Sequence, residues 1–241
     1  MDNIKRICLW SGPRNISTAL MYSFAQRLDT KVYDEPLYAY YLKHHPEAHS
    51  YHPDAELILN TMENDGEKVV DMMLNNSEKP VFFFKHMTHH LLGLNRDFMK
   101  DTINVILTRD PKDMLPSFDK VIYNPTIDDV GYALHVELID HFKKENIPFT
   151  VLDSRKVLLK PKQVLQNLCD FIGIPFDDKM LSWQPQQRQE DGIWAKHWYS
   201  NVHKSSGFLE YKPKDTPFPK HLNALLSECQ PHYDKLLEYA I

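Results

Sequence analysis

A chain of 241 residues, 42% apolar and 25% charged, is long enough to bury a sizeable core and has the composition of a soluble globular protein. Its formal net charge of −5 gives neither nucleic acid nor an anionic membrane a bulk electrostatic reason to bind, although a small anion needs only a local basic pocket. Three scattered cysteines, Cys8, Cys169 and Cys229, fit neither a zinc site nor a disulfide framework, so a reducing, cytoplasmic location is expected and no metal centre is.

The first residues carry charges where a signal peptide needs an apolar stretch, and the longest apolar runs, such as residues 81–84, are too short to span a bilayer. Residues 7–10 read as a buried strand. Ile16, Leu20, Phe24 and Leu28 then recur every four positions, the spacing of a helix with one apolar stripe. A second strand over 31–33 ends at Asp34-Glu35-Pro36, and helices are predicted over 53–63 and 66–76. Residues 80–84 and 102–108 are β-rich. A helix opened by Pro111 is predicted to about residue 121, a long helix over 126–145, a strand over 149–152, a helix over 161–172 and closing helices over 219–239. There is no repeat, linker or low-complexity tract, so one domain over 1–241 is expected.

Short strands alternating with helices imply crossover connections, a mostly parallel central sheet and helices on both faces. Ligands of such sheets bind beyond the carboxyl ends of the strands. That rule singles out residues 11–18, Asp34-Glu35, Lys85-His86, Arg109 and Asp153-Ser154.

Gly12, Pro13, Arg14, Asn15, Ile16, Ser17 and Thr18 join the first strand to its helix. Free N–H groups and the helix dipole make such a junction an anion site, to which Arg14 adds a fixed charge and Ser17 and Thr18 add hydroxyls. The plainer alternative is a turn in which Asn15 or Ser17 caps the helix. A nucleotide-hydrolysing P-loop, G-x-x-x-x-G-K-[ST], is not matched, because Ser17 and Thr18 stand where the second glycine and the lysine belong. A second anion signal follows the strand at 102–108. Arg109 precedes Pro111, and Ser117 lies about two helical turns further on, within reach of the same phosphate.

Together these segments resemble the sulfotransferase family, whose members use 3′-phosphoadenosine 5′-phosphosulfate. Pro13-Arg14-Asn15-Ile16-Ser17-Thr18 is similar to the family's P-[KR]-S-G-[ST]-T loop, which holds the 5′-phosphosulfate. Arg109-Asp110-Pro111-Lys112-Asp113 with Ser117 is similar to the R-x-P-x-D…S element that holds the 3′-phosphate. "GPRNISTAL" with "DEPLYAYYL", and the stretch at 151–176, look like a divergent branch. The resemblance implies a three-layer P-loop-type α/β fold. It also implies transfer of a sulfuryl group to a hydroxyl or amine of a small-molecule acceptor, with 3′-phosphoadenosine 5′-phosphate as product.

Three departures stand out. Asn15-Ile16 replaces the serine-glycine, so the loop is expected not to use a glycine conformation at residue 16. Ala19 stands where some relatives place a tryptophan under the adenine. The late R-K-G element is absent, and residues 192–208 stand in its place; by position Lys204, Ser205, Ser206 and Gly207 are candidates for the 3′-phosphate.

Sulfuryl transfer needs charge stabilisation at the leaving phosphate and a base for the acceptor. Arg14 is the candidate for the first. Glu35 is the preferred base and His86 the second, each following a strand, and Lys85 is a candidate for neutralising the sulfuryl. Tyr33, Tyr38, Tyr40 and Tyr41 suggest an aromatic wall, with Trp194, Trp198 and Tyr199 as further candidates. The donor is expected to bridge two cationic pockets, one led by Arg14 and one by Arg109. The rival readings are a nucleotide-dependent phosphotransferase or kinase and a non-catalytic nucleotide-binding relative. Oligomeric state is open.

Overall fold

The computed structural model describes residues 4–213 and 215–241. Five parallel strands, β1 (Lys5–Ser11), β2 (Thr30–Asp34), β3 (Val81–Met87), β4 (Ile103–Thr108) and β5 (Phe149–Asp153), lie in the order β2-β3-β1-β4-β5. The helices are α1 (Ser17–Phe24), α2 (Tyr38–His44), α3 (Ala55–Thr61), α4 (Gly66–Asn75), α5 (Pro111–Phe118), α6 (Ile127–Val130), α7 (Tyr132–Lys144), α8 (Ser154–Leu159), α9 (Pro161–Ile172), α10 (Ala195–Trp198) and α11 (Asn223–Leu237).

Strand side chains alternate between the two faces, and each face buries its own core. Ile7, Leu9, Phe83, Val105, Leu107 and Leu152 face α1, α8 and α9. Cys8, Trp10, Phe82, Phe84, Ile106 and Val151 face α4, α5, α7 and α11. The result is the parallel sheet between helices that the alternation of elements implied, in the three-layer P-loop-type α/β fold that the resemblance implied. A third apolar cluster joins α2 and α3 to Trp194, Ala195 and Tyr199 beside the β2 edge.

Two predicted helices differ from the structure for local reasons. The apolar stripe ending at Leu28 stops early: α1 closes at Phe24, and Leu28 is 80% exposed in the turn before β2. The long helix over 126–145 is two helices, broken at Gly131, whose φ of 77° is open to glycine and ends α6.

The register aligns the carboxyl ends of the strands. Ser11 lies opposite Met87 and Leu107, Asp34 opposite Lys85, and Thr108 opposite Asp153. The residues following β1, β2, β3 and β4 therefore surround one mouth.

Candidate active site

A cavity of about 850 Å³ opens at these strand ends. Residues 12–19, Glu35, Lys85, Arg109 and Ser117 all line it. The loop between β1 and α1 is bent by two non-glycine residues in the left-handed region, Arg14 at φ 57° and Ile16 at φ 63°. The expectation that residue 16 would avoid a glycine conformation is therefore incorrect. The chain keeps the backbone shape without the glycine, at a strain of roughly 1–2 kcal/mol for a β-branched side chain. Such alternation of backbone handedness turns successive N–H groups toward one concavity, a shape that holds anions.

Neither Asn15 nor Ser17 caps α1. Ile16 is the N-cap residue and offers no side-chain bond, which leaves the first N–H groups of the helix to another acceptor. Asn15 instead donates to the Leu107 carbonyl at 3.1 Å and straps the loop to β4, while its buried Oδ1 has no partner among the described residues. Gly12 is required by space: a Cβ there would stand 2.8 Å from the Val130 carbonyl oxygen.

The two basic motifs meet. Arg109 donates to the Arg14 carbonyl at 2.7 Å, and Arg14 Nε donates to Ser117 Oγ at 3.2 Å. Asp110 caps α5 by accepting from Lys112 N at 2.8 Å, and Tyr132 donates to the Arg109 carbonyl at 2.7 Å, so both ends of this strand-to-helix turn are fixed. Burial first, and the neighbouring Arg109 second, lower the Arg14 pKa. Neither guanidinium pairs with a carboxylate among the described residues. Two like charges thus face one cavity unneutralised, an arrangement that an incoming anion relieves. The two expected cationic pockets are joined in one cavity, and Arg14 reaches toward Ser117 rather than standing apart from it.

The other end of the cavity is built differently. Glu35, in the left-handed region at φ 47°, follows β2 directly. Lys85 Nζ donates to Glu35 Oε1, to Asp34 Oδ1 at 2.8 Å and to the Tyr199 hydroxyl at 2.7 Å. Burial raises the Glu35 pKa to about 6; Lys85 opposes that rise and Asp34 adds to it. For Lys85 burial acts downward, but Asp34 and Glu35 prevail and hold its pKa well above the usual value. Glu35 is thus paired with Lys85, not with Arg14 or Arg109.

Among the sequence-derived candidates, His86, Lys204, Ser206, Tyr33 and Tyr40 are not brought to this cavity or this network. His86 follows Lys85 on β3, so the strand's alternation sends its ring to the opposite face. There it is fully buried, stacks on Trp10 at 4.4 Å and has no hydrogen-bond partner at either nitrogen among the described residues. Burial, helped by Lys85, lowers its pKa to about 3. Lys204 and Ser206 are exposed and lie outside the lining, whereas Ser205 and Gly207 belong to it. Ser205 is already engaged: its hydroxyl accepts from Trp183 Nε1 at 3.2 Å and donates to the Val202 carbonyl at 2.8 Å. Of the tyrosines, Tyr38 and Tyr41 line the cavity; Tyr40 donates to the Leu92 carbonyl, and Tyr33 stacks on Phe84 away from it.

The wall also holds residues that the motifs did not flag. His52, His89 and His90 join Tyr38 and Tyr41, with Tyr38 stacked on His90 at 4.8 Å. Burial lowers the pKa of His52 to about 4 and of His89 to about 3, and pushes His90 well below the ordinary value, so this wall is uncharged at neutral pH. The histidine-rich run after β3 carried the only sequence signal for it. No cluster of metal-ligating side chains occurs among the described residues, and no described helix is long and apolar enough to cross a membrane.

Comparison with known proteins fits this geometry. "Branched-chain-amino-acid aminotransferase-like protein 1" and "protein 2" of Arabidopsis thaliana are 40% and 39% identical over 230 and 229 residues. Those matches take in 94% of this chain but 40% of each relative, so the chain spans about two fifths of their length and their name cannot be assigned to this part. Among solved structures, "Sulfotransferase Domain from the Curacin Biosynthetic Pathway" superposes with a TM-score of 0.57 at 15% identity, covering 94% of this chain and 98% of that one. A sulfotransferase from Alicyclobacillus acidocaldarius gives 0.57 at 11%, covering 97% and 94%. These likenesses establish a shared fold. The family profile described as "Sulfotransferase domain" matches residues 5–240, and with that match the chain belongs to the sulfotransferase domain family.

Proposed function

We propose that the chain transfers a sulfuryl group from 3′-phosphoadenosine 5′-phosphosulfate to a hydroxyl or amine of a small molecule. The observation that carries this reading is the pair of unneutralised guanidinium groups, Arg14 and Arg109, beside Ser117 and an uncapped helix N-terminus in one cavity. The donor set suits a ligand with phosphates at two places. The nest of residues 12–18 with Ser17 and Thr18 would take the 5′ end, and Arg109 with Ser117 the 3′-phosphate. Arg14, between them, is placed to answer charge arising on the leaving phosphate. Ser205 and Gly207 line the same cavity.

The donor supplies an activated sulfur bound to a phosphate oxygen. Glu35 holds the acceptor hydroxyl or amine and takes its proton as the acceptor–sulfur bond forms and the sulfur–oxygen bond to phosphate breaks. A carboxylate with a pKa near 6 is largely ionised at neutral pH yet basic enough for that task. Uncharged Tyr38, Tyr41, His52 and His90 exclude water around it. An ATP-dependent phosphotransfer reading lacks the lysine of the P-loop at residue 18.

The test is turnover: radiolabelled sulfur from the donor, offered to a panel of phenols, alcohols and amines, should appear on at least one acceptor. Donor that binds tightly but is never turned over, across the panel and over a pH range, would identify the chain as a nucleotide binder instead.

A further inference from the structure

Lys85 is the only cation within hydrogen-bond reach of Glu35 among the described residues, and its ammonium has three protons to give. All three are used, on Asp34, Glu35 and Tyr199. The partners are themselves saturated. Asp34 is the register partner of Lys85 across the β2–β3 pair, so the ion pair is set by strand alignment. The Asp34 carboxylate also accepts from the Tyr199 hydroxyl at 2.8 and 2.9 Å and from Gly192 N at 2.9 Å. The Tyr199 hydroxyl in turn accepts from Trp194 Nε1 at 3.0 Å, and Trp194 meets Tyr38 edge-on at 4.7 Å. The side chains of this network, Asp34, Glu35, Tyr38, Lys85, Trp194 and Tyr199, are all buried. By contrast Glu35 Oε2 has no hydrogen-bond partner among the described residues, although Glu35 lines the cavity.

We propose that Asp34 and Tyr199 are positioning residues: they share the Lys85 ammonium with Glu35, so that it covers one oxygen of Glu35 and leaves the other free to receive the acceptor's proton. The proposal rests on the reading of Glu35 as base. A Lys85 bound to three partners cannot also swing to the sulfuryl without breaking one of them, so its work is done on the carboxylate. Asp34 competes with Glu35 for the ammonium, and Tyr199 moderates that competition by giving Asp34 a donor of its own. The titratable groups facing Glu35 are Lys85 from β3, Asp34 from β2, Tyr38 from α2 and Tyr199 after α10. Because both tyrosines are held neutral by burial, Lys85 and Asp34 set the local field.

The competition gives two substitutions opposite signs. Asp34→Asn removes a neighbouring negative charge and turns the ammonium wholly to Glu35, which should move the Glu35 titration down by about half a pH unit or more. Tyr199→Phe leaves Asp34 short of a donor, draws the ammonium away and should move it up by a similar amount. Carboxyl carbon NMR of protein labelled at glutamate Cδ reads this directly, with the Glu35 signal identified by its absence in Glu35→Gln and expected to titrate near 6 in the unmodified chain. Affinity for 3′-phosphoadenosine 5′-phosphate, measured by calorimetry, should stay within about twofold in both variants, since the network touches no group assigned to the phosphates. Unmoved titrations, shifts of one sign in both variants, or loss of nucleotide affinity beyond about tenfold would overturn the proposal in favour of a purely structural network. If Asp34→Asn does not fold, the Tyr199→Phe shift decides alone: upward supports, unmoved or downward refutes. The titration needs neither donor nor acceptor, so its outcome is separable from that of the turnover assay.

Discussion

The two ends of the cavity handle charge in opposite ways. At the β1 and β4 ends, Arg14 and Arg109 lie side by side with no carboxylate partner among the described residues and are kept in place by a backbone carbonyl, a serine hydroxyl and a strained loop. At the β2 and β3 ends, Lys85 is paired with both Asp34 and Glu35 and bonded to Tyr199, so every charge there has an opposite partner. A site that leaves like charges unanswered is built to be completed by a ligand; a site that answers its charges is built to hold one of them in a chosen protonation state. The same sheet does both because adjacent strand ends deliver different residues to one mouth.

The largest expected effect tests the second end. Glu35→Gln should lower turnover by roughly 10²–10⁴-fold while leaving nucleotide affinity nearly unchanged. In the unmodified chain turnover should fall as pH drops through about 6, because protonation removes the base, and that acid limb should be missing from the residual activity of the variant. Lys85→Met, which strands Asp34 and Glu35 in a buried site, should destabilise the fold by about 3–5 kcal/mol, read as a lowered denaturation midpoint. At the first end, Arg109→Ala should weaken 3′-phosphoadenosine 5′-phosphate by about 1.5–3 kcal/mol but adenosine 5′-phosphate far less; equal losses would remove the 3′-phosphate assignment. Ile16→Gly should change stability by no more than about 1 kcal/mol, since relief of the left-handed strain offsets the lost packing and the added chain entropy. Smallest of all, His86→Phe should leave turnover within a few-fold, as the ring stacks on Trp10 and faces away from Glu35.

The sequence carried the strands and the convergence of their ends, because period-two apolar runs and the parallel-sheet rule depend only on local pattern. It also carried Gly12, Arg14, Glu35, Lys85 and Arg109 to one cavity, since each lies at or just after the carboxyl end of a strand, and Ser117 with them through its spacing along the helix from Arg109. His86 was a legible error: alternation already separates it from Lys85 by one face. Ile16 was not legible, for nothing in a β-branched residue announces a positive φ that the surrounding loop imposes. Tyr199 was visible only as one aromatic among several. Its bond to Asp34 joins residues 165 apart in sequence, a contact that no local pattern encodes.

The most direct measurement compares the rise in denaturation midpoint given by 3′-phosphoadenosine 5′-phosphate, adenosine 5′-phosphate and ATP with magnesium, each titrated to saturation. A ligand that binds only the folded chain stabilises it by mass action. The doubly phosphorylated nucleotide should stabilise most and at the lowest concentration, with no need of magnesium. Equal stabilisation by adenosine 5′-phosphate, or a preference for ATP that requires the metal, would contradict the assignment of Arg14 and Arg109 to one bridging donor.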